Sequence, residues 1–210
     1  ILLAQHINQW CYSFCRRLAL LFLTAAQHHR RAMEDFIHFS AFFVIGVVYS
    51  TFIEYWGHRA MHSPKLRNLH DHHMVHHKRN YGKGVMLEFA KYLLFAAFSC
   101  CIPLSIFGPA SIAQPLNVGV VLTAFWSAYC HQWQHDHPPE HQHFWYMESP
   151  VHHVHHKYDM LHHNFGMCVD WWDHVFGTYV KHEGAWSDNS KAGAVERSMN
   201  KPALWHVKWI

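Results

Sequence analysis

The ten histidines that most constrain this chain fall into four short clusters, His58-x3-His62, His73-x2-His76-His77, His131-x3-His135 and His152-x2-His155-His156, each beside or between long apolar segments. On an α-helix residues i, i+3 and i+4 leave the same face, so each cluster aims its imidazoles in one direction. A fold that accommodates them must gather four one-sided polar helix ends at the ends of apolar rods. Neutral imidazole is the commonest metal ligand; it suits iron, copper, zinc and nickel and is poor for magnesium or calcium. Ten such donors exceed the about four that one tetrahedral ion takes, which points to two ions with an open coordination position. HxxxH followed by HxxHH occurs twice in order, which argues against a histidine-rich metal sponge, a purification tag or a proton buffer.

Half of the 210 residues are hydrophobic, yet the mean hydropathy is only −0.14, because histidine scores as polar and masks the apolar runs. Residues 36–56 form a nearly unbroken apolar stretch, and about 20 such residues cross a bilayer core of about 30 Å. Two more stretches, 85–107 and 112–130, are divided by Gly108-Pro109-Ala110, a turn sequence between antiparallel helices. The expected fold is therefore an all-α integral membrane protein with about three to four transmembrane helices and a helical cap holding a histidine-rich dimetal site. Residues 1–35 carry Arg16 and Arg17 in mid-segment and read as interfacial or poorly spanning. Residues 36–182 form the membrane domain, with histidine boxes over 58–77 and 131–163, and 183–210 a polar tail.

A span ending at His58 and a hairpin returning at His131 place all four clusters on one side. Arg59, Lys65, Arg67, Lys78, Arg79 and Lys83 crowd the intervening loop, so the positive-inside tendency makes that side cytosolic. The net charge of +3 resides in such juxtamembrane residues, and nothing resembles a nucleic-acid patch. Six cysteines without CxxC spacing are expected to be free thiols. The chain starts at Ile1 without methionine, which leaves open whether an N-terminal signal or further domain precedes it.

The segments HRAMH, HMVHH, HQWQH and HHVHH, followed by NFGMCVDWWDHVFGTY, resemble the fatty acid hydroxylase and sterol desaturase superfamily over roughly Phe52 to Val180. The resemblance implies an integral membrane oxidoreductase with a di-iron centre in a cytosolic cap, using O2 as co-substrate and external electrons. It carries His58, His62, His73, His76, His77, His131, His135, His152, His155 and His156 over as the metal ligands. The chain departs from the family at His174, where arginine is common, and by one or two extra residues between His156 and Asn164. His162 and His163 lie in that stretch, and one of them is a replacement candidate for a ligand.

Metal-bound imidazoles normally donate their other N–H to a carboxylate, a carbonyl or water, which makes Asp71, Asp136 and Asp159 supporting candidates, with Glu54 one helical turn before His58 and Asn164 beside the last box. Asp173 reads as holding a turn, and Trp171 and Trp172 as interfacial anchors. His70, His72, His137, His141, His143, His153 and His182 are mostly solvated or supporting. Substrate is expected to arrive laterally from the bilayer past the hairpin, with Phe144, Trp145 and Tyr146 on its route. The preferred reading is hydroxylation of a fatty acyl chain or acyl lipid, with a sterol or other polycyclic lipid second; the boxes do not choose between them. Zinc fits the same nitrogens but is redox-inert. A separate cytochrome- or ferredoxin-type electron donor is expected. The reading from another class, a zinc-binding or zinc-transport membrane protein, needs ligands along the spans, whereas the clusters sit at their ends.

Overall fold

The computed structural model describes residues 2–136 and 151–181, with side chains from Leu20 onward, Phe22 excepted. His137, His141, His143, Phe144, Trp145, Tyr146, His182 and the tail 183–210 lie outside the described residues. The described chain is helical, with no strand: α1 (Leu2–Met61), a single 3-10 turn (Pro64–Leu66), α2 (Arg67–Arg79), α3 (Val85–Ala96), a π-turn (Ala97–Cys101), α4 (Ile102–Phe107), α5 (Ala110–Asp136), α6 (Val151–Lys157) and α7 (Trp171–Val175).

The chain divides into two compact units, residues 1–42 and 43–210. The first is one length of α1; its large apolar side chains Leu20, Leu21, Leu23, Met33, Phe36, Ile37 and Phe39 are exposed, and Arg30 pairs with Glu34 one turn on at 2.8 Å. The apolar stretch 36–56 thus lies inside a longer helix. Two helical segments are long and apolar enough to cross a membrane, Leu23–Met61 and Val85–Phe107.

In the second unit the far half of α1 turns one face inward: Thr51, Tyr55, His58 and His62 are buried at helical spacing. Residues 85–107 run as α3, the π-turn and α4. Pro103, near the start of α4, lacks an N–H and crowds the carbonyl four residues back, and the π-turn beside it absorbs that mismatch. Gly108 closes α4 by donating to Leu104 O at 2.8 Å, and α5 starts at Ala110, so the expected hairpin is present. The third apolar stretch lies within α5, which packs along α3 and buries Ala113, Val120, Thr123, Ala124, Ser127 and Ala128. Only its Val118–Leu122–Trp126 stripe stays exposed among large apolar side chains.

α1 and α5 cross at backbone contact distance. A Cβ on Gly46 would run into the Leu116 carbonyl, and one on Gly119 into the Phe43 carbonyl. Small residues at such crossings let helices approach where lipid supplies no hydrophobic drive. Gly57, by contrast, has only Phe95 Cε1 within reach, 3.9 Å from an added Cβ. Replacing Gly119 by leucine is expected to lower the unfolding midpoint in detergent by the equivalent of about 1–3 kcal/mol, the usual cost of overpacking. Gly57→Ala should leave it nearly unchanged in the same thermal assay.

Candidate metal centre

Four separate elements deliver the imidazoles. His58 lies in the last turn of α1 and His62 just beyond its end, His73, His76 and His77 share a face of α2, His131 and His135 end α5, and α6 carries His152, His155 and His156. The structure brings all ten into one region, as two adjoining groups. His58, His62, His73, His77 and His155 form the first and are all buried; His76, His135, His152 and His156 form the second. His131 belongs to neither by ligand-atom distance but adjoins the second, its Nε2 3.3 Å from that of His76 and its ring 4.5 Å from His152. The groups touch where His77 stacks on His156, with centroids 4.0 Å apart.

In the first group the Nε2 atoms close a ring: His62 to His73 at 3.0 Å, His73 to His77 at 3.2 Å, His77 to His155 at 3.1 Å and His155 back to His62 at 3.0 Å. Nitrogen ligands about 2.0–2.1 Å from a common cation would stand about 2.9 Å apart at right angles and about 3.4 Å apart in a tetrahedron. The observed spacings fall between these limits. His135 and His152 meet similarly, Nε2 to Nε2 at 3.2 Å.

The outer nitrogens fix which lone pairs face inward. A carbonyl can only accept, so the Nδ1–H of His58 donates to Phe165 O at 2.6 Å, that of His155 to His163 O at 2.6 Å and that of His76 to Tyr81 O at 3.1 Å. In a neutral ring the inner Nε2 is then an unprotonated donor atom, the arrangement that metal-binding histidines use. His58 Nε2 and both ring nitrogens of His156 are buried without a hydrogen-bond partner. Burial keeps the rings uncharged: it pushes His62 down to about 3 and His77 to about 4, and holds His73, His152, His155 and His156 lower than an ordinary histidine, with neighbouring imidazoles adding to the shift. Asp159 partly offsets the shift of His77. Neutral, convergent nitrogens with unanswered lone pairs fit a soft-to-borderline metal cation.

The segment after the boxes is the support. Asp173, as its sequence position indicates, holds a turn: its carboxylate accepts from Phe165 N at 2.8 Å, Gly166 N at 2.7 Å and Thr178 Oγ1 at 2.7 Å. Asn164 and Val180 exchange two hydrogen bonds, Nδ2 to O and N to Oδ1, both 2.8 Å, and Asn164 adopts φ 58°, a left-handed conformation that asparagine tolerates. Tyr55 reaches Thr178 Oγ1 at 2.9 Å. The NFG and FGTY elements thereby fix the Phe165 carbonyl that orients His58. Glu54 is part of the same frame: its carboxylate accepts from Met167 N at 2.9 Å and from Ser127 Oγ.

The other supporting candidates divide. Asp136 accepts from Gln132 Nε2 at 2.8 Å and does not join the histidine groups. Asp71 is exposed, and Asp159, also exposed, stands 3.8 Å from His77 Nδ1, beyond hydrogen-bond distance. The side chains of His162 and His163 are exposed, and neither joins the two groups. Trp172 donates to Thr51 Oγ1 at 3.0 Å, a tertiary contact beyond the interfacial role its type suggests. His174 stacks on Tyr179 at 4.0 Å.

Two residues escaped the sequence reading. Gln134 donates to Met167 O at 2.7 Å and accepts from His152 N at 3.0 Å; Gln132 accepts from Gly84 N at 2.7 Å. Both are fully buried, and the signal was present: HQWQH puts two amides at the end of an apolar helix, where each needs partners.

Removing the Asp173 carboxylate with alanine leaves buried backbone N–H groups unanswered. It is expected to cost about 3 kcal/mol or more of stability and to weaken metal binding about 10–100-fold, read by competition with a chelator. The histidine shifts set a pH dependence. A ring whose folded pKa lies below its unfolded value of about 6.5 takes up its proton more readily when unfolded. Metal-free protein should therefore hold its stability above about pH 6.5 and lose it as pH falls toward the folded value of about 4 for His77. Thermal unfolding across that range, in detergent and chelator, measures it.

The fatty acid hydroxylase family model matches residues 43–178, which include all four boxes and the closing segment through Thr178. No curated protein and no solved structure matches the chain. Members of the family are generally hydroxylase or desaturase oxidoreductases. The match covers more than half of the sequence and coincides with the unit that holds the clustered imidazoles, so this chain belongs to the fatty acid hydroxylase family.

Proposed function

We propose that the protein is a membrane di-iron, O2-dependent oxidoreductase that hydroxylates a lipid, with a fatty acyl chain or acyl lipid as the preferred substrate. The observation that carries this reading is the meeting of the imidazole groups with a cavity of about 380 Å³, within the roughly 300–1,000 Å³ of pockets that hold small molecules. His58, His73, His76, His131 and His152 line part of it, and Ile53, Phe95, Ala96, Ala124 and Met167 supply apolar wall. An unactivated C–H bond offers nothing to acid, base or nucleophile, so the protein's part is orientation and exclusion of water. Ten histidines are the proposed ligands, in the two groups described, with His131 added to the second.

Bound iron would supply one-electron redox chemistry and the activation of dioxygen. The Phe165, His163 and Tyr81 carbonyls hold the imidazole tautomers, Glu54 and Gln134 brace the 164–168 segment and α6, and the apolar wall aligns the chain. In this reading α5 makes a third crossing, and the basic loop between the first span and the hairpin supports a centre on the cytosolic face, of the endoplasmic reticulum or of a bacterial inner membrane. Electrons come from a separate cytochrome- or ferredoxin-type partner.

Iron-loaded protein given a reducing system, a mixed lipid extract and 18O2 is expected to place one labelled oxygen in an acyl chain by mass spectrometry, and zinc-loaded protein to place none. Label confined to sterols would overturn the substrate assignment. No label and no new double bond in any lipid, with reduced iron present, would overturn the oxidoreductase.

A further inference from the structure

The same cavity is also lined by Lys83, Lys91, Glu54, Glu88 and His72. Glu88 is buried and accepts from Lys91 Nζ at 3.1 Å, which takes one of the three N–H donors of Lys91. Lys83 is half-buried, and its Nζ lies 3.0 Å from His72 Nε2. An ammonium can only donate, so the His72 Nε2 accepts this hydrogen bond. The charges acting on Lys83 include Lys91 and Arg79, like in sign, and Glu88, opposite in sign. An ammonium has three N–H donors, and an anion with several acceptor oxygens answers them best. Lysines flanking a membrane span ordinarily extend to the headgroup layer; Lys83 instead lines a cavity to which Ile53, Phe95 and Ala96 contribute apolar wall.

We propose that Lys83, with Lys91, is a headgroup subsite for the anionic end, carboxylate or phosphate, of an amphiphile whose hydrocarbon enters the histidine-lined part of the cavity. This rests on the lipid reading above and narrows it: the ligand is an anionic acyl lipid, and a neutral sterol or alcohol lacks the group the subsite recognises. The Lys83 ammonium selects the headgroup, while the apolar wall tolerates any chain. Selectivity for charge should therefore move independently of affinity for hydrocarbon.

The test is binding without turnover, on the metal-loaded full chain in phosphatidylcholine nanodiscs at about pH 8, where a carboxylate is ionised. Displacement of a fluorescent fatty acid by palmitate, hexadecyl phosphate and hexadecanol is compared between wild type and Lys83→Met/Lys91→Met, so that partition into the bilayer cancels. Wild type is expected to prefer at least one anion over hexadecanol by about tenfold, as charge-assisted hydrogen bonds imply. The double variant should show a preference within about twofold while its hexadecanol affinity is unchanged. Palmitate alone showing the effect identifies a carboxylate ligand; hexadecyl phosphate alone identifies a phosphate. Lys83→Arg should retain the preference, as should Lys65→Met on the exposed surface outside the cavity. Equal wild-type affinity for all three, or equal loss of all three in the double variant with its metal content intact, would overturn the subsite. Because no oxidation is read, either outcome leaves the proposed chemistry to its own experiment.

Discussion

Neutral imidazoles with their Nε2 atoms about 3.0–3.2 Å apart, as in the ring of His62, His73, His77 and His155, present lone pairs to one another as well as protons. His155 is the clearest case: its proton is committed to the His163 carbonyl, so its inner nitrogen has only a lone pair to offer to two neighbours. Burial blocks the alternative of protonating the rings. A chain that folds around such a cluster needs a cation at its centre, and much of the rest of the fold holds the cluster in place. The Gly46–Gly119 crossing brings the ends of α1 and α5 together, and the 164–180 segment supplies the carbonyl that orients His58.

That dependence explains why so many polar residues outside the boxes are buried. Tyr55, Thr178, Asp173 and Asn164 contribute no metal-ligating atom to either group, yet each is placed where loss of its hydrogen bonds would release the Phe165 carbonyl or its neighbours. Glu54 is a half-buried carboxylate on α1, and its hydrogen bonds from Ser127 and Met167 tie α1 and α5 to the closing segment. The motif after the boxes is thus a mechanical part of the centre.

The ten histidines were legible in the sequence because i, i+3 and i+4 spacing gives a direction as well as a composition, and the Gly108-Pro109 turn was legible from its residues. The partition into two groups was not: His76 and His77 are adjacent in sequence yet point into different groups, a distinction set by the position of α2 relative to α5 and α6. Asp71 and Asp159 were chosen for adjacency along the chain. The structure instead uses backbone carbonyls at Tyr81, His163 and Phe165, which no sequence pattern marks. Gln132 and Gln134 were visible as amides in an apolar helix, but their partners Gly84, Met167 and His152 lie across the fold.

The central claim is that the two imidazole groups form one centre holding two redox-active ions. Metal content per chain on protein purified from iron-supplied cells, combined with Mössbauer spectroscopy of the 57Fe-enriched sample, tests it most directly. The account predicts two irons per chain in nitrogen-rich sites that are magnetically coupled. A single bound ion, or zinc that iron does not replace on reconstitution, would contradict it.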